Sequence, residues 1–259
     1  MSERRSELVR LPMPASGALQ FYLSYQDPAP DRAVLYVHGF GSTRAGLKAE
    51  AVEEACGRRG WTFASFDFRG HGASTGTLVE MTGTGLLGDL AAVRDYLVGR
   101  GIGQLDLVGS SMGGWAAAWF TLRHPKTVLG CVLMAPAFEF LHRRAGALTH
   151  EQLEHWKKTG RLRVRSAWVD AELGYGLVEE MGEFPPQRLE AELARPVLIF
   201  HGMQDADVPY TGSIAFIERA AYPDMELRLI KNGDHRLMAY RHDIAEAACE
   251  FFARQSFPA

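Results

Sequence analysis

Three groups that can together break an acyl bond stand far apart in this chain: Ser111 within Gly109-Ser110-Ser111-Met112-Gly113, the aspartate pair Asp205 and Asp207 ahead of Val208-Pro209, and His235 within Gly233-Asp234-His235. A serine hydroxyl is a weak nucleophile until a histidine takes its proton, and the histidine in turn works best when a carboxylate holds its ring. The glycines beside Ser111 matter because a strand-to-helix turn this tight forces the serine into strained backbone angles, with no room for side chains at the flanking positions. Met112 would open the following helix, so its N–H is one of the donors left unpaired at a helix N-terminus and can point at an oxyanion. Gly-Ser-Ser-Met-Gly alone also describes an ordinary glycine-rich turn. The flanking pattern argues otherwise, since an apolar run precedes it and a small-residue helix follows.

The elements that must position these groups follow from periodicity. Short strands are expected over 9–11 and 19–25, forming an antiparallel edge, then strands over 33–37, 62–67, 105–108, 128–134, 196–200 and 225–230. Helices are expected over 47–58, 85–98, 113–122, 213–220 and 239–253. Strands alternating with helices mean an α/β fold, with a mostly parallel central sheet covered on both faces. The alternation breaks between Ala135 and Arg195. That stretch shows no clear strand, a basic half with Arg143, Arg144, Lys157, Lys158, Arg161, Arg163 and Arg165, and an acidic half with Asp170, Glu172, Glu179, Glu180 and Glu183. It is expected to be a helical cap over 136–195, inserted into a core domain made of 1–135 and 196–259.

In an open parallel sheet the loops after the strands share one rim, so the partners of Ser111 must lie there. His38, His71, His201 and His235 all follow strands. His235, after the last strand, is placed to swing over Ser111. His38 and His201, each in a His-Gly pair, and His71 in Gly70-His71-Gly72 are expected to shape turns. A metal site would need acid-rich or His-x-His spacing, which is missing, so neither metal nor cofactor is expected. The orienting acid is Asp205 or Asp207. A second oxyanion donor is expected in His38-Gly39-Phe40-Gly41, where the backbone is bare and the Phe40 N–H can turn toward the site.

Composition narrows the class. The chain has 259 residues, 47% hydrophobic and 23% charged, with a formal net charge of −3, which gives no reason to expect nucleic acid as a partner. Three cysteines, Cys56, Cys131 and Cys249, are odd in number and widely spaced, so no disulfide framework is expected. The first residues carry no secretory signal and no apolar run is long enough to span a membrane, so a cytoplasmic enzyme is expected.

With these residues placed, the chain resembles the α/β-hydrolase superfamily over essentially its whole length. The resemblance rests on His38-Gly39-Phe40-Gly41, Asp67-Phe68-Arg69-Gly70-His71-Gly72, Gly109-Ser110-Ser111-Met112-Gly113-Gly114-Trp115, the run from His201-Gly202 to Val208-Pro209, and Asp234-His235-Arg236, in that order. Within the superfamily it is most similar to the abhydrolase-domain group of mitochondrial palmitoyl-protein thioesterases and acyl-glucuronide esterases, and it is expected to be a bacterial-type relative without their leader. The resemblance implies a catalytic triad of Ser111, Asp205 and His235, oxyanion donors at Phe40 and Met112, and no cofactor. It implies a serine hydrolase of carboxylic esters or thioesters, acting on a small-molecule acyl substrate or an acylated protein. The rivals are a carbon–carbon hydrolase or peptidase using the same triad, and a non-catalytic binding protein on the same fold. Two further expectations concern the cap: that some of Phe138, Phe140, Leu141, Trp156 and Trp168 line an acyl tunnel, and that Arg143, Arg144, Lys157, Lys158 and Arg161 attract an anionic leaving group such as a glucuronate.

Overall fold

The β-branched and aromatic runs pair edge to edge. The computed structural model describes residues 4–13, 17–26, 29–165 and 169–255, with the side chain of Arg144 left out. Met1–Glu3 and Trp168, on which some expectations fell, lie outside the described residues. The strands are β1 (Arg4–Pro12), β2 (Ala18–Gln26), β3 (Arg32–Val37), β4 (Thr62–Phe66), β5 (Gln104–Ser110), β6 (Val128–Met134), β7 (Arg161–Arg165), β8 (Asp170–Gly174), β9 (Val197–Gly202) and β10 (Met225–Ile230). Eight of them form one sheet in the order β1-β2-β4-β3-β5-β6-β9-β10. β1 and β2 make the expected antiparallel edge, and every pairing from β4 to β10 is parallel.

The helices are α1 (Leu47–Arg58), α2 (Gly83–Gly99), α3 (Met112–Arg123), α4 (Phe140–Gly146), α5 (His150–Thr159), α6 (Gly176–Glu179), α7 (Pro186–Glu192), α8 (Thr211–Arg219) and α9 (Arg241–Arg254). Because side chains alternate across a strand, each inner strand feeds two cores. Leu35, Val37, Leu105, Leu107 and Ile199 face α2 and α3. Val34, Tyr36, Val108, Val132 and Leu198 face α1 and α9. Burial on both faces explains why these strands read as continuous apolar runs rather than as alternations.

The chain leaves β3 toward β4 on one side and later returns to β5 on the other. The crevice at the ends of β3 and β5 is therefore a topological switch point, where open α/β sheets place their ligands. Register brings the ends level, with Val37 opposite Gly109 and Gly109 opposite Leu133.

Between β6 and β9 the structure corrects one expectation. The segment is not free of strands: β7 and β8 form an antiparallel hairpin with Arg163 opposite Glu172 and Arg165 opposite Asp170. The alternation Arg161-Leu162-Arg163-Val164-Arg165 has the period of a strand, but charged residues at every second position hide it from a search for apolar runs. Cross-strand ion pairs, among them Arg163 to Asp170 at 2.8 Å, join the basic and acidic halves. Phe184 anchors this segment on α3, its ring centroid 5.1 Å from that of Trp115 and 5.2 Å from that of Trp119.

Candidate active site

Ser111 sits between β5 and α3 with φ 53° and ψ −115°, a backbone conformation that L-residues rarely occupy. What holds it there is the contact made by its neighbours. A Cβ on Gly109 would lie 2.5 Å from Gly113 O, and one on Gly113 would lie 2.2 Å from Val37 O and 2.4 Å from His38 O. Helix α3 thus enters directly against the end of β3, and Ser111 bridges the gap. Gly113→Ala is expected to cost about 2–3 kcal/mol and lower Tm by roughly 5–10 °C, because backbone rather than a movable side chain blocks the added methyl. Differential scanning fluorimetry checks this, and an unchanged Tm would contradict it.

The structure brings the three expected groups into one line. Ser111 Oγ lies 3.0 Å from His235 Nε2, and His235 Nδ1 lies 2.7 Å from Asp205 Oδ2. With Asp205 accepting at Nδ1, Nε2 is free to accept the serine proton. The other oxygen of Asp205 accepts from the N–H groups of Asp207 at 2.9 Å and Val208 at 2.7 Å. Burial alone would raise the Asp205 carboxyl, but hydrogen bonds from His201, His235 and the Val208 N–H, with the charge of His235, hold it well below the usual carboxylate range. Asp207 is exposed and meets Asp205 through its backbone. Ligand atoms of Asp205, Asp207 and His235 come within 4.8 Å of one another, as a metal site would require. Asp205 Oδ2 and His235 Nδ1 are bonded to each other.

Gly39 lies against Ser111, where an added Cβ would be 3.3 Å from Ser111 Cβ, and Phe40 lines the same cavity as Ser111. Met112 is the first residue of α3. Of the histidines expected to shape turns, His38 and His71 each meet a loop carbonyl, His71 Nδ1 lying 3.3 Å from Arg69 O. His38, fully buried, donates from Nδ1 to Gly39 O at 2.8 Å and accepts at Nε2 from the Phe68 N–H at 3.0 Å. Burial, helped by the nearby His71, pushes its pKa down to about 3, as an accepting Nε2 requires. Asp67 braces the same loop by accepting from the Arg44 N–H at 2.7 Å and the Ala73 N–H at 3.0 Å. His201 does more than shape a turn, since its Nε2 lies 3.1 Å from Asp205 Oδ2. Sequence reading missed that contact, although the four-residue spacing from His201 to Asp205 was visible.

Ser111 and His235 open into a cavity of about 700 Å³. Phe138 and Phe140 line it with Phe40, Val164, Leu189 and Phe216, and Phe138 stacks on Phe216 at 4.1 Å. Leu141 and Trp156, expected as candidates for the tunnel, are buried and absent from the lining; the Trp156 indole N–H donates to Leu173 O at 3.1 Å. The expected basic cluster does not gather here either. Of its described side chains only Arg143 lines the cavity, while Lys157 and Lys158 are exposed on α5 and Arg161 pairs with Glu172. Arg165 and Arg219 join Arg143 in the lining, but so do Glu139, Glu190 and Asp207, so the charges nearly balance. The neighbouring Ser110 faces the other way. Its hydroxyl is bonded to Lys48 Nζ at 2.6 Å beneath α1.

Comparison with known proteins agrees with this architecture. The family model described as serine aminopeptidase S33 matches residues 28–169. The mitochondrial palmitoyl-protein thioesterase ABHD10 of Mus musculus is 30% identical over 207 residues, 79% of this chain and 69% of the relative. A monoacylglycerol lipase of Mycolicibacterium smegmatis is 27% identical, over 78% of this chain and 80% of that one. The solved structure of mouse α/β-hydrolase domain-containing protein 10 superposes with a TM-score of 0.83 at 27% identity, covering 96% of this chain and all of that one (100%). With that family model covering more than half of the chain, a relative 30% identical over more than two thirds of its length, and this eight-stranded α/β architecture shared, the chain belongs to the serine aminopeptidase S33 family of α/β-hydrolases and is a hydrolytic enzyme.

Proposed function

We propose that the protein hydrolyses carboxylic esters or thioesters, with Ser111 as nucleophile, His235 as general base and acid, and Asp205 orienting the imidazole. The observation that carries this reading is the unbroken line from Ser111 Oγ to His235 to Asp205 at the mouth of a largely apolar cavity. His235 Nε2 takes the Ser111 proton as Oγ attacks the acyl carbonyl, and the tetrahedral oxyanion accepts from the Phe40 and Met112 N–H groups. Collapse breaks the acyl bond, and His235 returns the proton to the departing alkoxide or thiolate. Water, deprotonated by the same histidine, then releases the acid and restores Ser111.

Residues 136–195 serve in this reading as the cap that selects the acyl group, because they supply Phe138, Phe140, Val164 and Leu189 to the lining. Long-chain acyl groups, including one carried by a protein whose surface stays outside, suit such a cavity, and the mouse relative named a thioesterase supports this. Buried, unbridged Cys56, Cys131 and Cys249 suit a reducing compartment such as the cytoplasm. The nearly balanced charges of the lining give no support to selection of an anionic leaving group.

The test is kcat/KM for p-nitrophenyl esters from acetyl to decanoyl, with matching acyl thioesters. Each added methylene is expected to raise it about fourfold, ~0.8 kcal/mol, until the cavity is full. Specificity flat beyond acetyl would remove the acyl-cavity reading. The family's own description favours a second reading, peptide cleavage by the same groups. Aminoacyl p-nitroanilides turned over faster than every ester would favour it.

A further inference from the structure

Asp205 Oδ2 serves two rings, His235 Nδ1 at 2.7 Å and His201 Nε2 at 3.1 Å. The side chains of Asp205 and His201 are both 0% exposed. His201 Nε2 also lies 3.0 Å from Val208 O, and its Nδ1 lies 2.7 Å from the hydroxyl of the buried Ser213. Carboxylate and carbonyl can only accept, so Nε2 must carry a proton, and in the neutral ring Nδ1 then accepts from the Ser213 hydroxyl. The tautomer of the neutral ring is thereby fixed, with its N–H aimed at the back of the acid. Shaping the turn would need only the bond to Val208 O. The bond to Oδ2 instead reaches the same oxygen that holds His235.

We infer that His201 is a positioning residue that shares the Asp205 carboxylate with His235 and so sets the lower end of the pH range in which His235 accepts the serine proton. The inference rests on the reading of Ser111, His235 and Asp205 given above. A hydrogen bond from His201 draws charge from Oδ2, and in a buried site that charge is poorly screened. Without it, the carboxylate faces His235 alone and stabilises the imidazolium more strongly. The base then keeps its proton to higher pH, and the acid limb of kcat/KM moves up by about one pH unit, the size of effect one neighbouring charge or hydrogen bond has on a partly buried group. Other charged groups near this assembly are Asp207, Asp234, Arg236 and Lys48, together with the arginines and glutamates lining the cavity. A substitution at His201 leaves all of them in place, so their effect cancels between variants.

The experiment measures pH profiles of kcat/KM for p-nitrophenyl butyrate with wild type, His201→Gln, His201→Asn and Ser111→Ala. Glutamine keeps an N–H where Nε2 stood, whereas the asparagine amide reaches only the Ser213 side. The expected result is an acid limb about one pH unit higher in His201→Asn and restored to within roughly 0.3 units in His201→Gln. Profiles that superimpose on wild type, even with kcat lowered, would make His201 merely structural and overturn the inference, as would equal shifts in both variants. Should His201→Asn not fold, ¹⁵N NMR of the histidine-labelled wild type decides: a proton on His201 Nε2 is required, and one on Nδ1 alone overturns the inference. Turnover surviving in Ser111→Ala would remove the underlying reading, whatever the His201 profiles do.

Discussion

Ser111→Ala is expected to lower kcat for an acyl ester by on the order of 10⁶ while leaving the fold intact, since a nucleophile, base and acid that act as a unit fail together when one is removed. The residual rate would come from binding and from the oxyanion donors. A fluorophosphonate should label wild type at Ser111 and leave Ser110 untouched, because the Ser110 hydroxyl is buried and bonded to Lys48 on the opposite side of the strand. Labelling at Ser110, or turnover that survives in Ser111→Ala, would remove the proposed mechanism.

The strain at Ser111 adds a second readout to the same experiment. A non-glycine residue at φ 53° and ψ −115° is held at a cost of about 1–3 kcal/mol. Alanine at 111 keeps that cost. Glycine releases it, at the expense of roughly 0.4–1 kcal/mol of added freedom in the unfolded chain. Ser111→Gly should therefore be as inactive as Ser111→Ala but more stable by about 1 kcal/mol, visible as a Tm higher by roughly 2–4 °C. Equal Tm values would show that the surrounding contacts relieve the strain. The protein would then be holding Ser111 in this conformation at no cost to its stability.

What could be read in the sequence divides by how local its cause is. The elbow was legible because Gly109 and Gly113 are demanded by contacts that any side chain would violate, and those demands leave a mark in residue type. The parallel strands were legible because burial on both faces makes them uniformly apolar. The β7–β8 hairpin was not, because exposed arginines on every second position make a strand look like a charged loop, and its partner strand supplies the acids that compensate. The composition of 136–195 likewise gave no way to tell aromatic residues that line a cavity from those that anchor a segment. Phe138 and Phe140 reach the cavity, whereas Trp156 turns inward to a backbone carbonyl. Residue type and spacing alone did not choose between Asp205 and Asp207, since both stand in one loop of the rim, and Asp205 was singled out only by the family resemblance. Which carboxylate turns inward depends on the path of that loop after β9 and on where β10 delivers His235.

That choice is the sharpest test left. Asp205 is held from four directions, by two rings and two backbone N–H groups, and its side chain is fully buried, whereas Asp207 is exposed. Asp205→Asn keeps the shape but turns an amide donor or a weaker acceptor toward His235. The ring then favours the tautomer with its proton on Nε2, which cannot accept from Ser111. The expected loss is on the order of 10⁴ in kcat, the scale seen when a serine protease suffers the same change. Asp207→Asn leaves its backbone N–H donating to Asp205 and removes one charge from the cavity rim, so its effect should stay within about threefold and shrink further with added salt. Steady-state kinetics on both variants, with circular dichroism to confirm folding, separates them. If Asp207→Asn proves the more damaging, the orienting acid has been misassigned, and the Oδ2 contact of His201 loses its connection to the chemistry as well.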